Sequence, residues 1–144
     1  MRHVLFILLL IIESCKNDTS IVSSGSFGNT FTLKVGQTVT IQPGNLKVGF
    51  ERVASDSRCP TGAMCFWEGM AQLRLWLLPP GTDTVFVQST ISGYVTQSDT
   101  CCHKYVDTVG YRVKLMQLDP YPRIDGPLPP ESSDYIAYLQ VSKL

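Results

Sequence analysis

Apolar and polar residues alternate along most of the chain, and this period of two constrains the fold more than any other feature. A strand places successive side chains on opposite faces, so alternation is typical of half-buried β-strands, whereas a helix needs a period of 3.6. Glycines and prolines interrupt the alternation where the chain must reverse. The pattern predicts about six or seven short strands. The alternating runs cover residues 31–35, 39–41, 46–50, 71–77, 85–87, 111–115 and 135–141.

Short strands separated by turn residues suit two packed antiparallel sheets. We therefore predict a single all-β domain over residues 31–144, a sandwich of immunoglobulin-like architecture; an open barrel is the competing prediction. Residues 119–130 hold five of the nine prolines. Because proline has no backbone N–H to donate to a neighbouring strand, we expect this segment to be an ordered connection between the last two strands. Tyr121 and Arg123 are the candidate contacts if the segment binds a partner.

The first fifteen residues have the features of an export signal. Arg2 and His3 precede an unbroken apolar run over residues 4–12, and Ser14 stands before Cys15. The run is too short to span a bilayer, which needs about 20 residues in a helix. The position of Cys15 resembles the lipobox of bacterial lipoproteins, in which that cysteine is acylated and becomes the first mature residue. The alternative is a conventional signal peptide with an incidental cysteine.

The resemblance to lipoproteins implies an N-terminal division of the chain. Residues 1–14 would be a lipoprotein signal peptide, Cys15 the lipidation site, and residues 15–30, which are small and polar, a flexible tether. The segment Lys16-Asn17-Asp18 resembles the signal that sends some Bacteroidota lipoproteins to the outer membrane. The expected partner is therefore the lipid bilayer, and the expected location is the cell envelope, on the periplasmic or the surface-exposed face of the outer membrane.

Charge and histidine content limit the chemistry that the chain can perform. Twelve basic and twelve acidic side chains are scattered singly, and this balance argues against nucleic acid as a partner. Cleavage before Cys15 leaves His103 as the single histidine, so a zinc site of two or three imidazoles within one chain is excluded. The sequence also lacks the common hydrolase, metalloprotease and phosphate-loop motifs. We therefore expect no enzymatic activity and no cofactor.

The densest motif runs from Asp56 to Gly69, as Asp-Ser-Arg-Cys-Pro, four residues, and then Cys-Phe-Trp-Glu-Gly. It resembles a family of small, uncharacterised secreted proteins and lipoproteins of the Bacteroidota type, which carry D-S-R-C-P-x4-C-x-W-x-G before a β-strand. The resemblance extends from about Phe31 to Val141 in the order of the strands. It implies an exported β-rich domain with a disulfide, and it carries no assigned catalytic activity.

Cys59 and Cys65 are close in sequence, and an exported protein keeps its disulfides, so we predict a bridge between them that fixes the shape of the loop. We expect Trp67 to pack over the sulfurs or the adjacent core. The alternative is that Phe66 and Trp67 form an exposed aromatic contact. The charged residues Asp56, Arg58 and Glu68 are expected to form a buried ion pair that pins the loop; a calcium site at the two carboxylates is the weaker interpretation.

Cys101, Cys102 and His103 form a second cluster. Four cysteines remain after lipidation and allow three pairings, of which we favour a Cys101–Cys102 bridge beside Cys59–Cys65. Two thiols and an imidazole are weak candidates for a metal or redox site, because their spacing matches neither use.

These observations favour a membrane-anchored envelope lipoprotein that acts as a non-catalytic binding or structural module, with an envelope protein as a candidate partner. Two alternatives stay open. One is a secreted inhibitor or immunity-type protein that uses the disulfide-stiffened loop, and the other is a metal-handling or redox lipoprotein that works through the second cysteine cluster.

Overall fold

A computed structural model of the chain describes residues 24–144, and in this part the regular structure is almost entirely β-strand. No helix among these residues is long and apolar enough to cross a membrane. The predicted signal peptide, Cys15 and the tether up to residue 23 lie outside the described residues. The strands are β1 (Gly25–Ser26), β2 (Thr30–Lys34), β3 (Thr38–Gln42), β4 (Leu46–Asp56), β5 (Met70–Leu78), β6 (Val85–Ser92), β7 (Tyr105–Thr108), β8 (Tyr111–Asp119) and β9 (Ile136–Lys143).

The strands form two sheets that pack face to face. One sheet has the order β1-β3-β4-β5-β6 and the other the order β2-β9-β8-β7. This confirms the predicted two-sheet sandwich. Consecutive strands form antiparallel meanders, β3 to β6 in the first sheet and β7 to β9 in the second. The short pairing of β1 with β3 is parallel, which the sequence analysis did not predict.

The core follows the period of two that the sequence displays. In β5 every second side chain is fully buried, and β9 shows the same alternation against it from the other sheet. A β-bulge between Leu115 and Gln117 shifts this alternation in β8, so that Leu118 joins the core although it lies three residues after Leu115. A bulge adds one residue to one strand and thereby reverses which face the following side chains occupy.

Two strands lie where the sequence predicted none. β1 and the following turn fall within the predicted tether, yet the Gly28 amide donates a hydrogen bond to Val141 (2.8 Å) and Phe27 stacks on Tyr111 with ring centroids 5.8 Å apart. The expectation that residues 25–30 belong to a tether is therefore corrected. A strand of two residues has no period to detect, and the packing of Phe27 depends on the distant Tyr111. The other strand, β7, lies at the edge of its sheet.

The two ends of the sandwich differ in their connections. Short turns at residues 43–45, 79–84 and 109–110 close one end. The opposite end carries the connections at residues 57–69, 93–104 and 120–135, and we call it the long-loop end. All the residues of the Asp56–Gly69 motif, the second cysteine cluster and the proline-rich segment meet there.

Gly49 in β4 provides a test of how the first sheet is packed. Gly49 pairs with Trp76 of β5, and a Cβ atom at position 49 would lie 2.0 Å from the Trp76 indole. We predict that Gly49→Ala lowers the free energy of unfolding by about 1–3 kcal/mol through overpacking. In a Trp76→Leu background the same change should cost little or nothing, since the indole is gone. Equal costs in both backgrounds, measured by denaturant unfolding, would refute this packing.

Candidate functional site: the long-loop end

A buried ion pair lies at the base of the long-loop end. Asp56 ends β4, and Arg58 follows two residues later, with its Nη2 2.7 Å from Asp56 Oδ2. The two side chains are 0% and 1% exposed, respectively. Arg58 Nε and the Arg58 backbone amide both donate to Asp56 Oδ1, at 3.0 and 3.1 Å, and the Tyr135 hydroxyl donates to Oδ2 at 2.9 Å. The carboxylate therefore accepts four hydrogen bonds and is fully compensated for its burial. Glu68 is not part of this pair.

Arg58 also reaches the second sheet. Its Nη1 donates to the Leu118 carbonyl at 2.8 Å and its Nη2 to the Pro120 carbonyl at 3.2 Å, at the end of β8. The guanidinium carbon lies 4.8 Å from the centroid of the Tyr121 ring, a distance at which a cation and an aromatic face attract each other. One side chain thus joins the end of β4 to the end of β8, which belong to different sheets.

Tyr121 extends this contact to the third loop. Its ring meets that of Tyr94 edge to face, with centroids 4.9 Å apart. Burial raises the pKa of Tyr121, so its phenol stays protonated to a higher pH than that of an exposed tyrosine. The contacts of Arg58 with Tyr121 and of Tyr121 with Tyr94 therefore connect three loops, at residues 57–69, 120–135 and 93–104.

The predicted disulfide between Cys59 and Cys65 is present, which confirms that pairing. The Cys59 amide donates to the Glu68 carbonyl at 2.8 Å and closes the loop at its base. Gly69 follows with φ +68°, and a Cβ atom there would lie 1.9 Å from the Ser57 carbonyl oxygen. Only glycine fits this position, because it tolerates a positive φ and has no side chain to meet the facing backbone.

The base of this loop docks on the proline-rich segment. Thr61 donates its amide to the Pro122 carbonyl at 2.9 Å and accepts from the Ile124 amide at 3.1 Å. Between these two bonds, Arg123 lies in a parallel bridge with Thr61, while its side chain is exposed and pairs with Asp125 at 2.8 Å. The hydrogen bonds from Arg123 lower the pKa of the Asp125 carboxyl. Of the two candidate contacts in this segment, Tyr121 is half-buried against Arg58, whereas Arg123 is exposed at the surface.

The far side of the same loop is apolar and exposed. Met64 is 104% exposed, Phe66 98% and Trp67 74%, and we call these three residues the apolar tip. The expectation that Trp67 packs over the sulfurs or the core is therefore wrong, and the alternative of an exposed aromatic pair describes the structure. Phe66 and Trp67 contact each other edge to face, with centroids 5.8 Å apart.

The second cysteine cluster differs from the prediction. Cys101 and Cys102 are free, exposed thiols, so the expected bridge between them is corrected. Adjacent Cα atoms across a trans peptide lie about 3.8 Å apart, which is shorter than the 4.4–6.8 Å that disulfides span without strain. A hydrogen bond with Cys101, with burial as a further contribution, raises the pKa of Cys102, which disfavours its reactive thiolate.

His103, the remaining member of that cluster, bonds through Nε2 to the Thr96 carbonyl at 2.8 Å and so holds the loop at residues 93–104 to itself. Across residues 24–144 no group of three or more His, Cys, Asp or Glu side chains has a metal-binding arrangement.

Sequence reasoning missed three residues that shape this end. Tyr135 closes the ion pair from 79 positions away, and Tyr94 extends the aromatic contact, both through tertiary packing that no local pattern reveals. Met64 could have been found, because it stands beside Phe66 and Trp67 in a short cysteine-closed loop where no strand can bury it.

Comparisons with protein-family models, with curated proteins and with solved structures gave no match. The resemblance of the Asp56–Gly69 motif to secreted Bacteroidota proteins stays a prediction, and the function must be argued from the geometry of the long-loop end.

The chain offers a matched test of the buried ion pair. Arg112 and Asp107 form the same bidentate pair, with Nε 2.7 Å from Oδ1 and Nη2 2.8 Å from Oδ2, but their side chains are 40% and 38% exposed. We predict that Arg58→Met lowers the free energy of unfolding by about 3–5 kcal/mol, because it leaves the Asp56 charge buried without its partner. Arg112→Met should cost less than about 1 kcal/mol. Similar losses for the two variants in urea unfolding would contradict this view of Arg58.

Tyr135 gives a pH-dependent test. Burial and the hydrogen bond to Asp56 raise the pKa of Tyr135 well above its usual value. Above about pH 10 the unfolded chain loses this proton while the folded chain keeps it, so the free energy of unfolding falls as the pH rises, by at most about 1.4 kcal/mol per pH unit. Tyr135→Phe should therefore be less stable at pH 8 but show a shallower decline between pH 10 and 11. An unchanged slope, with Tyr105→Phe as the exposed control, would contradict the assignment.

Proposed function

We propose that the chain is an envelope lipoprotein, anchored through an acylated Cys15, whose sandwich acts as a non-catalytic binding module. The apolar tip is its contact surface. One observation carries the proposal: Met64, Phe66 and Trp67 are each at least 74% exposed on a loop that a buried ion pair anchors and a disulfide constrains.

Exposed side chains of this kind are costly unless they serve a contact. Burying apolar surface is favourable by about 25 cal/mol for each Å² removed from water, and an exposed side chain forgoes this stabilisation. Methionine and aromatic residues are enriched at the centres of protein interfaces. The Asp56–Arg58 pair and the disulfide both limit the movement of the loop before any partner binds. Little conformational entropy is then lost on docking, which favours affinity.

The remaining polar groups of this end support a binding role over a catalytic one. The Asp56 carboxylate is taken up by Arg58 and Tyr135, and His103 bonds to a backbone carbonyl. The Asp56 carboxylate is therefore already saturated with donors, and the His103 ring is held to its own loop by one of its two nitrogens. The anchor rests on the sequence alone, on the apolar run at residues 4–12 and the position of Cys15.

The same geometry favours the inhibitor or immunity-type function as a second candidate. A stiff loop with a projecting Met64 can enter the cleft of a partner protein, and such a function does not need the lipid anchor. The two candidates differ in what covers the apolar tip and in whether acylation is required.

Hydroxyl-radical footprinting tests the proposal on the protein as it exists in cells. The acylated protein in its native envelope is compared with a Cys15→Ala variant, which we expect to be released from membranes. We predict that Met64, Phe66 and Trp67 are modified several-fold less in the envelope than in the released variant. Phe86 and Tyr105, each 55% exposed on the strands, are internal controls and should be modified equally in both.

Equal modification of the apolar tip in both samples would refute a contact at this surface. Retention of the Cys15→Ala variant in the membrane would refute the lipid anchor and leave the inhibitor function as the better candidate.

A further inference from the structure

We infer that the apolar tip inserts into the interfacial region of the membrane that holds the lipid anchor, so that the protein contacts the bilayer at two points. The inference rests on the proposed function, because it takes acylation of Cys15 as given, and it names the lipid surface as what the tip binds. Three features of the described residues and the sequence carry it: the direction in which the chain enters the sandwich, the length of chain before that entry, and the chemistry of the tip.

The direction of entry points back toward the long-loop end. β1 runs parallel to β3, with Gly25 beside Ile41, and β3 runs antiparallel to β4, with Ile41 beside Leu46. β4 then extends to Asp56, where the long loops begin. Gly25 is therefore level with the short-turn end, and β1 runs away from the long-loop end. The chain thus enters the sheet from the side on which the apolar tip lies.

The length of the preceding segment matches this geometry. Cys15 and Gly25 are ten residues apart, as are Leu46 and Asp56 along β4. An extended chain spans at most about 3.3–3.6 Å per residue, and a strand rises about 3.3 Å per residue. The segment from Gly25 back to Cys15 is thus just long enough to reach the level of the long-loop end. An anchor at Cys15 can place the bilayer surface there, and tethering so short makes a second contact effectively intramolecular.

The chemistry of the tip suits the boundary between lipid and water. Tryptophan is enriched at that depth because its ring is apolar while its N–H can still find a hydrogen bond, and phenylalanine also anchors proteins at the interface. Glu68, next to Trp67, is the one charged side chain of this loop outside the Asp56–Arg58 pair, so an inserted tip must leave the Glu68 carboxylate on the aqueous side of Trp67. Met64, Phe66 and Trp67 are themselves uncharged, so insertion of the apolar tip alone buries no charged group.

Tryptophan fluorescence tests the inference, since the chain has two tryptophans, Trp67 and Trp76. Acylated mature protein is reconstituted into phosphatidylethanolamine and phosphatidylglycerol vesicles, with and without lipids brominated on their acyl chains. The Trp76→Phe variant reports on Trp67 alone, and the matched Trp67→Phe variant reports on Trp76, which is half-buried on β5. Flotation of the vesicles reports separately on the anchor.

We expect Trp67 emission to shift to shorter wavelength on vesicles, to be lost with brominated lipid and to resist aqueous iodide, while Trp76 shows none of these changes. If Trp76→Phe does not fold, the difference between wild type and Trp67→Phe gives the same readout.

A protein that floats while Trp67 keeps its aqueous emission and iodide access overturns the inference and leaves the anchor intact. A protein that neither floats nor shows a shift in Trp67 overturns both. Shielding of Trp67 by an added envelope protein, with none on lipid alone, also overturns the inference and assigns the tip to a protein cleft.

Discussion

The Asp56–Arg58 ion pair is the interaction on which the long-loop end depends. Burying two charges is unfavourable unless both are surrounded by hydrogen-bonding groups, and here the carboxylate has four donors while the guanidinium reaches two further carbonyls. Because the further partners come from the end of β8 and from Tyr135, just before β9, the full set of hydrogen bonds forms only when the two sheets are packed together. It therefore couples the shape of the loops to the formation of the sandwich.

This arrangement separates the cysteine loop into two parts. The base is held by Arg58 and by the hydrogen-bonded amides of Thr61 and Ile124, whereas the side chains of the apolar tip are mostly exposed. Large apolar side chains exposed together on a held loop are typical of a contact surface. The base fixes the position of the loop, and the exposed tip is then available to bind a partner surface, as the proposed function requires.

Local patterns in the sequence predict most of the fold and only part of the site. Alternation predicts β5 and β9 well because each strand has one buried face. It does not predict the position of Leu118, since the bulge in β8 reverses the alternation, nor β1, which is too short to have a period. The short spacing of Cys59 and Cys65 predicts their disulfide, whereas the exposure of Trp67 depends on tertiary packing that no local pattern reveals. The partners of Asp56 show the same limit, because Tyr135 lies 79 positions away and only the folded chain brings its hydroxyl to the carboxylate.

Native-state amide hydrogen exchange tests most directly whether the ion pair, and not the disulfide, holds the base of the loop. The amides to follow are Thr61 N–H and Ile124 N–H, with a core amide of Leu75 as the reference for global unfolding. We predict that Arg58→Met removes protection at Thr61 and Ile124 beyond any change at Leu75, while replacement of Cys59 and Cys65 by serine leaves that protection largely in place. Loss of protection only in the serine variant would contradict it.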